Sequence, residues 1–171
     1  MRKFVCIVLL VLCFVSCSNS NSPEETILQI IKSMKEVDIE KVNSLCIADD
    51  GFSLPMPKTG DEVERNEAFY ERLSCEILSS DIVEDVATLK INIKNISVLS
   101  IVESLDDGIN NKDLIDKIKN PKNPIIETKI DLKLKKVDGK WLVDEGEQTI
   151  MFLAAIIGED LLGLSDINEV E

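Results

Sequence analysis

The chain reads as an α+β protein, with N-terminal helices packed on a curved antiparallel sheet of about four strands and a C-terminal helix. Three observations point there. Between Ile27 and Leu73 the apolar residues recur every three or four positions, the period of an amphipathic helix. From Ser74 onward they alternate, the period of a strand with one buried face. Asp138-Gly139, set between two such runs, marks a tight hairpin.

The first element precedes the fold. Met1-Arg2-Lys3 is followed by twelve apolar residues, Phe4–Val15, and then by Ser16-Cys17-Ser18-Asn19-Ser20. A basic start, a short apolar run and a small residue before a break make a secretory signal. Twelve helical residues span about 18 Å, short of the roughly 30 Å hydrocarbon core, which argues against a retained membrane span. With cysteine after the break, the segment resembles the lipobox of bacterial lipoproteins. Phe14 stands where such motifs usually carry Leu, so an ordinary secretory signal is the alternative. The resemblance implies cleavage before Cys17, lipidation of Cys17, and anchoring to the lipid bilayer through its acyl chains. The domain would then lie in the bacterial cell envelope, outside the cytoplasm. On this reading residues 1–16 are the signal peptide, 17–22 a lipidated cysteine with a flexible tether, and 23–171 one domain.

Ser22-Pro23-Glu24-Glu25 is a helix start: Ser as cap, Pro at the first position, Glu three residues after the cap. Ile27, Ile30, Ile31 and Met34 form the buried stripe. Asp38 caps a second, short helix carrying Ile39, Val42, Leu45 and Cys46, closed by Asp49-Asp50-Gly51. Pro55 and Pro57 keep the next stretch irregular. Asp61 begins a third helix running to about Leu73, with Val63, Phe69, Tyr70 and Leu73 inward. Cys75–Val83 and Val86–Val98 are expected as strands joined at Glu84-Asp85, with Ala87, Leu89, Ile91 and Ile93 on one face. Ile96 and Val98 break that phase, which suggests a bulge near Asn95 and pairing to about Leu105. An insertion follows from Asp106, with a small helix over Lys112–Asn120. Ile126, Thr128, Ile130, Leu132 and Leu134 then define a long third strand, and Trp141-Leu142-Val143 the return from the Asp138-Gly139 turn. Ile150–Ile157 is a run of eight apolar residues. It is either an element buried against the sheet or an exposed patch for a protein partner or homodimer.

Cleavage before Cys17 removes 16 of the 171 residues and leaves 155, enough for one sizeable core. Arg2 and Lys3 leave with the signal, taking the net charge from −13 to −15. Nucleic acid is excluded as a partner, because phosphate binding needs clustered Lys and Arg. Beyond Cys17 the mature chain has Cys46 and Cys75, which either form a disulfide or serve as two small buried hydrophobes.

The chain has no histidine, which removes Ser-His-Asp and Cys-His catalysis and histidine-ligated zinc. No Gly-rich phosphate loop is present, and neither Asp-Asp-Gly sequence has calcium-loop spacing. No catalytic residue, metal site or cofactor is expected. Tyr70 and Trp141 are the sole tyrosine and tryptophan.

The order of elements resembles the cone-shaped α+β fold of ketosteroid isomerase and nuclear transport factor two. Glu25–Asp50 and Lys129–Asp144, above all Leu134-Lys135-Lys136-Val137-Asp138-Gly139-Lys140-Trp141-Leu142-Val143-Asp144, look like small bacterial lipoproteins of unknown function that carry this fold. The resemblance implies a cavity at the mouth of the cone, lined by Phe69, Tyr70 and Trp141, for a small ligand, peptide or protein. The function expected is therefore a non-enzymatic binding module on an envelope lipoprotein. A structural surface lipoprotein without a defined ligand and an isomerase-like enzyme are the alternatives.

Overall fold

A computed structural model describes residues 21–47, 54–105 and 109–144, together with Phe152 and Ile156. Within these the chain is α+β, helices leading into a four-stranded antiparallel sheet. Helix α1 spans Pro23–Lys35 and opens with the full capping box: Glu25 N donates to Ser22 Oγ (3.1 Å) and Ser22 N to Glu25 Oε2 (3.0 Å). It ends in a Schellman pattern, Val37 N to Met34 O (3.1 Å) and Asp38 N to Ser33 O (2.9 Å). The left-handed position falls on Val37, at φ 54°, where glycine would be unstrained. Its buried side chain offsets part of the cost of that conformation. Helix α2, Ile39–Ser44, is capped by Asp38, as its sequence predicts, and buries Ile39 and Val42. Helix α3 covers Gly60–Tyr70, is capped by Thr59, and buries Ala68 and Tyr70 near its end. The expected stop at Asp49-Asp50-Gly51 lies outside the described residues.

Strands β1 (Ser74–Val83), β2 (Val86–Ile96), β3 (Ile125–Val137) and β4 (Lys140–Val143) pair in sequence order. The β2–β3 register runs unbroken from Val86↔Lys135 to Ile96↔Ile125. It sets Ala87 opposite Leu134, Leu89 opposite Leu132 and Ile91 opposite Ile130, the centre of the core face. Val143 N donates to Leu45 O and Ile47 N to Val143 O (2.9 Å each), so the segment after α2 covers the outer edge of β4. Asp138 and Gly139 take φ 50° and 79°, the pair of positive angles that their hairpin demands.

Two expectations for β2 fail, for one reason. No bulge lies near Asn95, and the strand ends at Ile96 rather than near Leu105. Instead Ser97 caps a short helix α4 (Val98–Glu103) through Ser100 N to Ser97 Oγ (3.1 Å). Ile96 breaks phase because it points away from the main core into a second one, with Ala68, Ile101, Ile115 and Ile118. Ile115 and Ile118 belong to α5 (Asn111–Ile118), the helix of the insertion. The irregularity in the sheet lies in β1, between Ile77 and Ser79, on the outer edge strand. Phe152 and Ile156 are helical and wholly buried in the main core. Asn95, also wholly buried, ties Ile156 to β2 by donating Nδ2 to its carbonyl (2.7 Å).

Candidate functional site

The aromatic residues expected to line a cavity are core residues here. Trp141 is buried on β4, with the exposed Lys140 before it and the Lys136 ammonium 5.7 Å from its ring centroid. Its backbone carbonyl accepts from Thr26 Oγ1 (3.2 Å), fastening the first turn of α1 to β4. Tyr70 is buried in the main core, where burial pushes its phenol up to about 12. Phe69 meets it edge-on with centroids 5.1 Å apart and packs against both cores. Phe69 thus joins the two cores, with Tyr70 on the main-core side.

The structure keeps Cys46 and Cys75 apart, each as a free thiol. Cys75, on the edge strand β1, pairs with Ile93 of β2, whereas Cys46 bridges to Val143 at the other edge of the sheet. Ile93 faces Thr128 and Val143 faces Leu134, an offset of about 20 Å along β3 alone. A disulfide needs Cα atoms within about 7 Å. Both thiols are raised to about 11, chiefly by burial, which fits the reading as small buried hydrophobes. Cys17 lies outside the described residues. So does Ile150–Ile157 apart from Phe152 and Ile156, whose burial fits the packed reading of that run.

A concavity does exist, elsewhere than expected. An open cleft of about 390 Å³ lies between the end of α1, α3 and the end of α5, lined by Lys35, Glu64, Glu67, Ala68, Glu71 and Lys119. Glu64, Glu67 and Glu71 project from one side of α3 by their i, i+3, i+7 spacing. Lys35 is held at the rim by donating Nζ to Leu73 O (3.3 Å). The acidic stripe was legible in the sequence. That Lys35 and Lys119 flank it depends on how three separate helices pack. Among the described residues no group of three Cys, Asp or Glu is placed to hold a metal ion, and no helix is long and apolar enough to cross a membrane.

No family model matches the chain, and no curated protein matches it. One similar solved structure is that of AclR, a candidate hydroxylase from Streptomyces galilaeus. It is 16% identical, with 77% of this chain and 95% of that chain covered at a TM-score of 0.38. A likeness at that level carries no argument about activity.

Proposed function

We propose that this protein is a lipid-anchored envelope lipoprotein whose folded domain serves as a non-enzymatic binding module. One observation carries the reading: the signal-like segment ends at Cys17, and the capping box that opens α1 stands at Ser22, five residues later. A short polar spacer between an acylated cysteine and a capped helix is what a tethered domain requires. The helix, hairpin, insertion and hairpin order supports the resemblance to the cone-shaped lipoprotein domains. The open, charged cleft between α1, α3 and α5 suits a polar partner better than an enclosed apolar ligand. Burial raises the Cys46 and Cys75 thiols to about 11, which disfavours thiolate chemistry at either.

The test is metabolic labelling with a fatty acid, comparing the wild type with Cys17→Ser. Label should enter the wild type and be lost from the variant; equal labelling would end the lipoprotein reading. Charge reversal at Glu67 and Glu71, both on the surface of α3, separates binding from a purely structural role. Loss of the cellular phenotype with an unchanged unfolding midpoint supports binding, and an unchanged phenotype supports the structural alternative.

A further inference from the structure

Of the eight large exposed apolar side chains among the described residues, four (Ile82, Val83, Val86 and Val137) gather at one end of the sheet. Val83 and Val86 face each other across the Glu84-Asp85 turn, 65% and 41% exposed, and Ile82 beside them is 50% exposed. Val137, 43% exposed, flanks the Asp138-Gly139 turn. Lys136 N donates to Asp85 O (2.8 Å), which holds the two hairpin tips side by side. Scattered singly such residues need no explanation, but here Val83, Val86 and Val137 share the outer face of the adjoining tips and Ile82 stands on the opposite face beside them, so both sides of this end are apolar.

The same end receives the N-terminus of α1. Its first turn meets Trp141, two residues from the Gly139 tip, through Thr26. The Glu24 carboxylate is held below its usual range mainly by a hydrogen bond from Ser80, three residues before Val83. At its other end α1 reaches Leu73, just before β1 begins. Helix α1 therefore runs along the sheet with Ser22 at the hairpin tips. From Cys17 to Ser22 the chain reaches at most about 18 Å. The eleven residues of β2 are about twice as long, roughly 36 Å. An acyl anchor at Cys17 can therefore hold the tip end against a bilayer, while an upright sheet keeps its opposite end out of reach.

We propose that the two hairpin tips dock on the lipid surface, with Ile82, Val83, Val86 and Val137 entering the boundary between headgroups and acyl chains. This rests on the lipid-anchor reading above. The tips carry Asp81, Glu84, Asp85 and Asp138 against Lys135, Lys136 and Lys140. Nearly balanced charge suits a zwitterionic bilayer, and the contact should hold from low to high salt.

The test uses the acylated mature protein in phosphatidylcholine vesicles with and without brominated acyl chains. Tryptophan is added by Val83→Trp at the tip or Lys122→Trp before β3, and wild-type emission from buried Trp141 is the baseline. The emission added by Val83→Trp should fall roughly twofold in brominated vesicles, and that added by Lys122→Trp should not change. Adding Val86→Asp and Val137→Asp should abolish the quenching without moving the unfolding midpoint. An N-terminal peptide bearing the acyl mass with no quenching at either site overturns the docking and leaves the anchor standing. A peptide without the acyl mass overturns both. A dimer in detergent that Val83→Asp dissociates, with no quenching, assigns the tips to a second copy and overturns the proposal.

Discussion

Asn95 offers a sharp test of how Ile156 is held against β2. Its side chain is wholly buried on the core side of β2 and makes two hydrogen bonds. Nδ2 donates to Ile156 O (2.7 Å), and Oδ1 accepts from Ile96 N (2.9 Å). Asn95→Ala removes both, taking that donor from the buried Ile156 carbonyl and that acceptor from the buried Ile96 N–H. A buried group left unsatisfied costs about 1–3 kcal/mol, and the emptied volume adds to that. A total near 3 kcal/mol corresponds to roughly 6–12 °C of Tm for a domain of this size. Asn95→Asp should be worse, because a buried carboxylate would face the Ile156 carbonyl oxygen with no donor between them. The assay is urea unfolding of the two variants beside the wild type, with hydrogen exchange read at Phe152 and Ile156. Loss of protection there should exceed loss in β2 and β3. A shift in ΔG below about 0.5 kcal/mol for Asn95→Ala would refute the reasoning, since a surface substitution does as little.

Other outcomes follow from the same contacts. Trp141→Ala should cost about 3–5 kcal/mol by denaturant midpoint, since the ring is buried and carries the Lys136 contact. Ser22→Ala should cost about 1 kcal/mol through loss of the capping box, read from thermal unfolding, with Ser22→Asp restoring most of it. Stability should decline in alkali. Burial raises Cys46 and Cys75 from 9.0 to about 11 and Tyr70 from 10.0 to about 12. With the folded pKa raised, their contribution is complete below pH 9 and fades as pH climbs through 11 and 12. A urea midpoint unchanged from pH 8 to pH 11 would contradict that placement.

Local sequence wrote most of the elements, because capping, turn chemistry and hydrophobic period act over a few neighbouring residues. Ser22, Asp38 and Gly139 each fix a start or a turn by their own hydrogen bonds or φ angle, and alternation along Ala87–Ile93 and Ile126–Leu134 gives the buried face. Periodicity states that a side chain is buried, not by what. Ile96 therefore looked like the sign of a bulge, when its departure from phase marks a second core completed by the insertion some twenty residues later. Tyr70 and Trp141 were legible as apolar positions, yet whether they line a cavity or fill the core depends on how closely α1 and α3 settle on the sheet. The separation of Cys46 from Cys75 needs the order of four strands, which neither cysteine's neighbours encode. The same holds for the exposed end: Ile82, Val83, Val86 and Val137 are ordinary strand residues in the sequence. Only the antiparallel packing of α1 on β1 brings them to the end where α1 begins at Ser22, because that contact joins residues more than fifty positions apart.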